Sequence, residues 1–246
     1  MSGHSHWSGS KYKKAANDLK RGKVFSKIGR LITIAARGGA DPDMNAKLRV
    51  AIDKGKAVSM PKENIERAIK KGAGADAGSL EEMIYEGYAS GGVAFIAEAL
   101  TDNGNRTTPE IRKIVDSAGA KLGKTGCVSF MFKPKGLFSV KKTASVDAEA
   151  LMLAALDAGA DDVSEEDGVF EIVSEADKYA AVKDGLETAG FTLDVAELTR
   201  IADNEVDVDI ETMRKVMSLI EKLEDHDDIQ NVYTSAKMTS ELMAQM

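Results

Sequence analysis

The chain has 246 residues, 43% hydrophobic and 30% charged, which excludes a fibrous or disordered protein and leaves room for two or three domains. One cysteine, Cys127, excludes an internal disulfide and fits a reducing compartment. The formal charge of −7 joins two opposed parts: residues 1–72 hold 17 Lys/Arg against 6 Asp/Glu, and the remainder holds 16 against 34.

A cation-dense segment beside an acidic body points to a polyanion partner for the first part, held apart from the second. The opening MSGHSHWSGSKYKK lacks the apolar stretch of a secretory signal, and no run approaches ~18 apolar residues. The expected location is cytoplasmic, with no membrane partner. Within residues 11–37, Val24, Ile28, Leu31 and Ala35, with Phe25 and Ile32 beside them, recur at helical spacing up to Gly38-Gly39. Leu48, Ala51, Ile52 and Gly55 mark a second helix. Pro61 opens a third, striped by Ile65, Ala68 and Ile69 and stopped at Gly72. Residues 72–78, GAGADAG, follow a helix rather than a strand and read as a linker, not a phosphate loop.

The pattern then changes. Strands are predicted over 84–88 and 93–100, joined through Ser90-Gly91-Gly92, and Thr108-Pro109 opens a helix. A further strand covers 127–132, and Lys133-Pro134-Lys135-Gly136 makes a tight connection into a strand at 137–140. From 137 to 199 the order strand, helix, strand, strand, helix, strand is the split βαββαβ of a ferredoxin-like unit. Residues 143–200 carry 15 Asp/Glu against 3 Lys/Arg. A last helix (209–223) and strand (229–234) would turn the first α+β segment into a second such unit. The expected fold class is α+β multidomain: a basic helical domain with linker (1–78), then two ferredoxin-like domains, one (136–203) inserted in the other (79–135 plus 204–246).

Catalytic chemistry is scarce. His4 and His6 lack a third metal ligand, His226 in Glu224-Asp225-His226-Asp227-Asp228 reads as a solvated loop residue, and Cys127 has no histidine near it in sequence. There is no nucleophile elbow, P-loop or HExxH. No catalytic residue, cofactor or metal is expected. Two features stand out. A glycine- and serine-rich arm with His4, His6, Trp7 and Tyr12 feeds a helix through Lys11, Lys13, Lys14, Lys20, Arg21 and Lys23, with Arg30, Arg37, Lys47 and Arg49 in support. Such a set suits phosphate neutralisation with some stacking. The second is a candidate anion site at a strand-to-helix junction: Asn103, Asn105, Arg106, Thr107 and Thr108.

These stretches carry a resemblance. GHSHW resembles the GHSKW opening of the YebC/PmpR family of probable transcriptional regulators. The likeness continues through KRGKVFSKIGRLITIAARGGADPDMNAKLRVAIDKGKAVSMPKENIERAIKKGAG, YEGYASGGVAFIAEALTDNGNRTTPEIRKI, GCVSFMFKPKGLFSV and DDIQNVYTS. It implies a helical N-terminal domain, two α+β domains with one interrupting the other, and no catalytic residues or cofactors. Family members include DNA-binding regulators and translation factors acting at the ribosome, among them mitochondrial translational activators. The arm departs from the pattern: the family's Lys after GHS is His6 here, and its Asn-Ile-Lys-His-Arg-Lys stretch reads Ser8-Gly9-Ser10-Lys11-Tyr12-Lys13-Lys14.

The expected function is a non-enzymatic, nucleic-acid-binding regulator of gene expression, a DNA-binding transcriptional regulatory protein of the YebC type. A ribosome-associated translation factor contacting rRNA is the alternative. A further alternative is a protein–protein adaptor that meets basic proteins through its acidic domain.

Overall fold

The computed structural model describes residues 18–74, 80–166, 168–239 and 242. Helices α1 (Asp18–Ala36), α2 (Ala46–Ala57) and α3 (Lys62–Ala73) form the first unit. Their apolar stripes are too narrow to be stable singly, so they bury Ile28, Ile32, Leu48, Ile52 and Ile65 against one another. Asn45 stitches the first turn: its side chain accepts from Leu48 N at 3.1 Å and donates to the carbonyls of Ala35 and Gly39, both at 2.8 Å. Gly72 is not the stop predicted for the third helix. It lies inside α3, and a Cβ there would fall 2.1 Å from the Thr33 carbonyl oxygen, so only glycine lets α3 lie this close to α1.

The next elements are β1 (Glu81–Tyr88), β2 (Ala94–Thr101), α4 (Gly104–Ser117) and β3 (Lys121–Leu122). A second set follows: β4 (Phe132–Lys141), α5 (Ala148–Asp157), β5 (Asp162–Glu166), β6 (Val169–Glu175), α6 (Tyr179–Thr188) and β7 (Val195–Ala202). The chain then returns through α7 (Ile210–Glu224) and β8 (Ile229–Thr234) to the first sheet. The two sheets are antiparallel, ordered β3-β1-β2-β8 and β5-β6-β4-β7. The second order, with β6 between β5 and β4, is the split arrangement of a ferredoxin-like unit.

The first sheet is not. It begins with a hairpin in which β1 and β2 pair from Glu81↔Thr101 to Tyr88↔Ala94, so its two central strands are consecutive. The turn Ser90–Gly92, with φ of +73° at Gly91 and +75° at Gly92, is too tight to admit a strand between them. α4 and α7 cover one face of this sheet over Phe95, Ile111, Val115, Met213, Val216 and Ile220.

Two other expectations are corrected. α4 starts at Gly104 rather than at Thr108-Pro109, because Asn103 caps it by accepting from Arg106 N at 3.2 Å. Residues 133–136 are strand, not a connection. Pro134 is tolerated because it pairs only with β7, opposite Arg200, while pairing with β6 begins one residue later at Lys135. Residues 127–131 in turn form a hook rather than a strand. Glu86, on the helix-free face of β1, holds that hook: its carboxylate accepts from the backbone N–H of Gly126 at 2.7 Å, Val128 at 2.9 Å and Ser129 at 2.8 Å. Val128 and Phe132 then pack with Ala94, Ile96 and Ala202 between the two sheets. Glu98 of β2 ties the sheets further, accepting from Arg200 Nε of β7 at 2.8 Å, while within its own sheet it accepts from the Tyr233 hydroxyl of β8 at 3.1 Å.

Burial alone would raise the pKa of Glu86, but the three N–H donors hold it below the usual carboxylate range. Its contribution is therefore present above about pH 4.3, the ordinary glutamate value, and is lost as pH falls through the lower folded value. Glu86→Gln turns an amide N–H₂ toward a donor and should cost about 1–3 kcal/mol near neutral pH. In urea titrations the gap between the two proteins should close as pH is lowered from about 5 to about 3.

Candidate nucleic-acid interface

Of the predicted contact residues, His4, His6, Trp7, Lys11, Tyr12, Lys13 and Lys14 lie outside the described residues. Lys20 and Arg21 fall in the first turns of α1. Lys23 and Arg30 share a face with Lys27 at i, i+4 and i+7, and that face meets the C-terminal end of α7. Lys23 Nζ donates to the Asp225 carbonyl at 3.0 Å, Lys27 Nζ to that of Glu224 and Arg30 Nη1 to that of Asp227. A helix C-terminus presents unsatisfied carbonyls and the negative end of its dipole, so three cations are well placed there. The cationic unit is thus not held apart from the body but docked on it.

Arg30 carries the docking inward. Its guanidinium lies 2.9 Å from Oδ1 of Asp228, whose side chain is 2% exposed. That contact is an ion pair rather than an aligned hydrogen bond. The other oxygen, Oδ2, accepts from Arg106 Nη2 at 2.8 Å and from the Thr107 hydroxyl at 2.7 Å. Thr101 orders the chain behind it: its Oγ1 accepts from Asn103 N at 2.9 Å and lies 2.7 Å from Thr107 Oγ1. Since Thr107 has one hydroxyl proton and the charged acceptor takes it, Thr101 donates to Thr107. Burial would raise the Asp228 pKa, but Thr107, Arg106 and Arg30 hold it below the usual carboxylate range.

The junction singled out in sequence therefore receives an anion that the protein itself supplies. Arg106 and Thr107 hold the Asp228 carboxylate, Asn103 caps the helix, Thr108 Oγ1 lies 3.0 Å from the Tyr85 hydroxyl, and Asn105 is exposed. His226 is not solvated as predicted. Its side chain is 13% exposed, Nδ1 accepts from Asp228 N at 3.1 Å, and Nε2 faces Glu110 at 3.0 Å, which braces the loop that carries Asp228. Neither Asp228 nor Lys27 was among the predicted site residues, although the acidic run 224–228 was the signal for both.

The remaining cations divide. Arg49 braces the α1–α2 loop, donating to the carbonyls of Pro42 at 3.1 Å and Asp43 at 2.9 Å. Arg37 and Lys47 are exposed, as are Arg67, Lys70 and Lys71 on α3, three cations outside the predicted set. Lys56 and Lys62 pair with Asp53 and Glu66 along their own helices, exposed contacts of little energetic weight.

The fold and site define a class: a basic three-helix unit latched through buried and helix-terminal charges onto a two-sheet α+β body. Two family models match it, the TACO1/YebC protein N-terminal domain over residues 5–75 and the TACO1/YebC second and third domain over 80–236. The chain belongs to the TACO1/YebC family. It is 47% identical over 249 residues to a probable transcriptional regulatory protein of Syntrophomonas wolfei, covering 99% of each chain. A protein of the same name from Persephonella marina is 50% identical over 247 residues, covering 99% of this chain and 98% of that one. A crystal structure of a conserved hypothetical protein from Aquifex aeolicus superposes with a TM-score of 0.81 at 42% identity, covering 91% of this chain and 93% of that one.

Proposed function

We propose that the protein is a non-enzymatic regulator of gene expression that binds nucleic acid through its helical unit, with DNA at promoters as the first target to examine. The observation that carries this reading is the charge division: 17 Lys/Arg against 6 Asp/Glu in residues 1–72, in a chain whose remainder is acidic. Lys23, Lys27 and Arg30 face the end of α7. The reading gives the phosphate contacts to Lys11, Lys13, Lys14, Lys20 and Arg21, with Lys47 in support. The relatives named as probable transcriptional regulatory proteins support the regulatory role.

An rRNA target follows from the same phosphate chemistry, and the acidic residues 143–200 would suit basic ribosomal proteins. Co-sedimentation with ribosomes and gel shifts on promoter fragments, run at matched salt, separate the two targets. The placement of the contact surface is tested by removing residues 1–78. The shortened protein should lose retention of duplex DNA on a filter, and duplex retention equal to that of the full chain would refute the reading.

A further inference from the structure

Within the acidic body lies a stretch of opposite sign. Residues 103–142 hold nine Lys/Arg against two Asp/Glu. Several of these cations are engaged: Arg106 with Asp228, Lys133 with Asp203, Lys135 with Asp161 and Glu175, Lys141 with Asp194, Lys142 with Glu165. Lys121 and Lys124 are exposed and have no acidic partner among the described residues. Both precede the hook that Glu86 holds, and near its far end Phe130 is 74% exposed.

Single exposed apolar side chains are ordinary on protein surfaces. Phe130 differs in how it is held out. Its neighbours at two residues' distance, Val128 and Phe132, are buried between the sheets, so the chain alternates inward, outward, inward. The backbone is pinned at six N–H groups on either side of Phe130. Gly123 N donates to the Glu86 carbonyl at 2.8 Å, Cys127 N to Lys124 O at 3.0 Å, and Met131 N to Val128 O at 2.9 Å, besides the three donors to the Glu86 carboxylate. A second aromatic, Tyr88, is 42% exposed and stands directly opposite Lys121 in the β1–β3 ladder, on the face of β1 that also carries Glu86. The segment thus combines two exposed rings, two unpaired lysines and a backbone that needs no ordering on binding.

We infer that this segment is a second nucleic-acid contact, in which Phe130 stacks on an unpaired base while Lys121 and Lys124 neutralise the flanking phosphates and Tyr88 offers a further ring. Stacking on a protein ring requires a base whose face is free, so the ligand is a single-stranded or looped-out segment of RNA or DNA, not an intact duplex. A protein partner fits less well. The exposed residues from Gly123 to Gly126 are Lys124, Thr125 and the two glycines, so the segment itself offers no exposed apolar side chain besides Phe130 for an interface core. The inference rests on the nucleic-acid reading above and adds the kind of ligand that it takes.

Full-length protein is titrated at fixed moderate salt with a uridine-rich RNA of about fifteen nucleotides, its DNA counterpart, and a blunt duplex of the same length. Phe130→Ala should weaken single-strand binding by about 5- to 100-fold, the range for loss of one stacked base, while Phe130→Trp retains it. Duplex binding should change by less than about twofold, since phosphate contacts are untouched. The RNA and DNA arms show which strand is preferred. Because Phe130 is largely exposed, the alanine protein should melt with the parent, and photocrosslinking of a thiouridine-substituted RNA should label the peptide that contains it. If Phe130→Ala binds single strands like the parent, the stacking site is refuted while the helical clamp stands. If the parent protein binds none of the three probes, the clamp fails, and this inference fails with it.

Discussion

Replacing Asp228 with alanine should lower the stability of the protein by about 2–4 kcal/mol, read as a fall in the midpoint of chemical unfolding. The side chain is 2% exposed and meets Arg30, Arg106 and Thr107. Removing it takes away the buried carboxylate that lies between the Arg30 and Arg106 guanidinium groups, and it leaves the Thr107 hydroxyl only the Asn103 carbonyl, at 3.1 Å, as acceptor. The damage falls on the docking of the helical unit, because Arg30 is the member of the cluster that comes from α1. Affinity for nucleic acid should not fall with it, since the docking cations then become available to phosphate. The pH dependence follows from the sign of the shift: the folded carboxylate sits below its ordinary value, so its contribution is present above about pH 3.9 and disappears as pH drops through the folded value. At pH 7 the variant should therefore trail the parent by the full amount, and in acid the two should converge. Equal midpoints at neutral pH would remove Asp228 from this role.

The second large effect concerns binding. Lys13→Glu combined with Lys14→Glu replaces two cations by two anions in the arm that precedes α1. The expected result is a loss of affinity of similar size across unrelated sequences, because phosphate contacts position a nucleic acid without reading it. Each lost phosphate contact should also lower the salt slope by about one. A change of preferred sequence, with affinity kept, would instead make these side chains base readers. Unchanged binding would place the contact surface elsewhere.

Much of this architecture is written locally in the chain. The stripe Ile28, Ile32 and the pair Leu48, Ile52 announce two helices that can be stable only against each other, and the structure buries them together. The split order of the second sheet follows from the succession of strand and helix signals over 137–199, with glycines at the joints. The order of the first sheet was misassigned although the turn at Ser90-Gly91-Gly92 was visible, because that turn makes β1 and β2 direct neighbours, which a ferredoxin-like order does not allow. Pro134 was misread because proline signals a turn unless one knows that β6 ends beside it. The docking cluster was hidden for a similar reason. Lys27 and Asp228 lie about 200 positions apart, and a charge pattern read along the sequence tells which groups are cationic but not which already face an anion. The anion site shows the same limit: the capping residues were visible, but that the protein fills the site with its own carboxylate was not.

The measurement that bears most directly on the helical clamp is the salt dependence of nucleic-acid binding by the intact protein. With about six phosphates neutralised, the logarithm of affinity should fall against the logarithm of salt with a slope between about −4 for a single strand and about −5 for a duplex. The doubly reversed Lys13 and Lys14 protein should show a slope smaller by about two. A flat response in the intact protein would contradict a phosphate clamp.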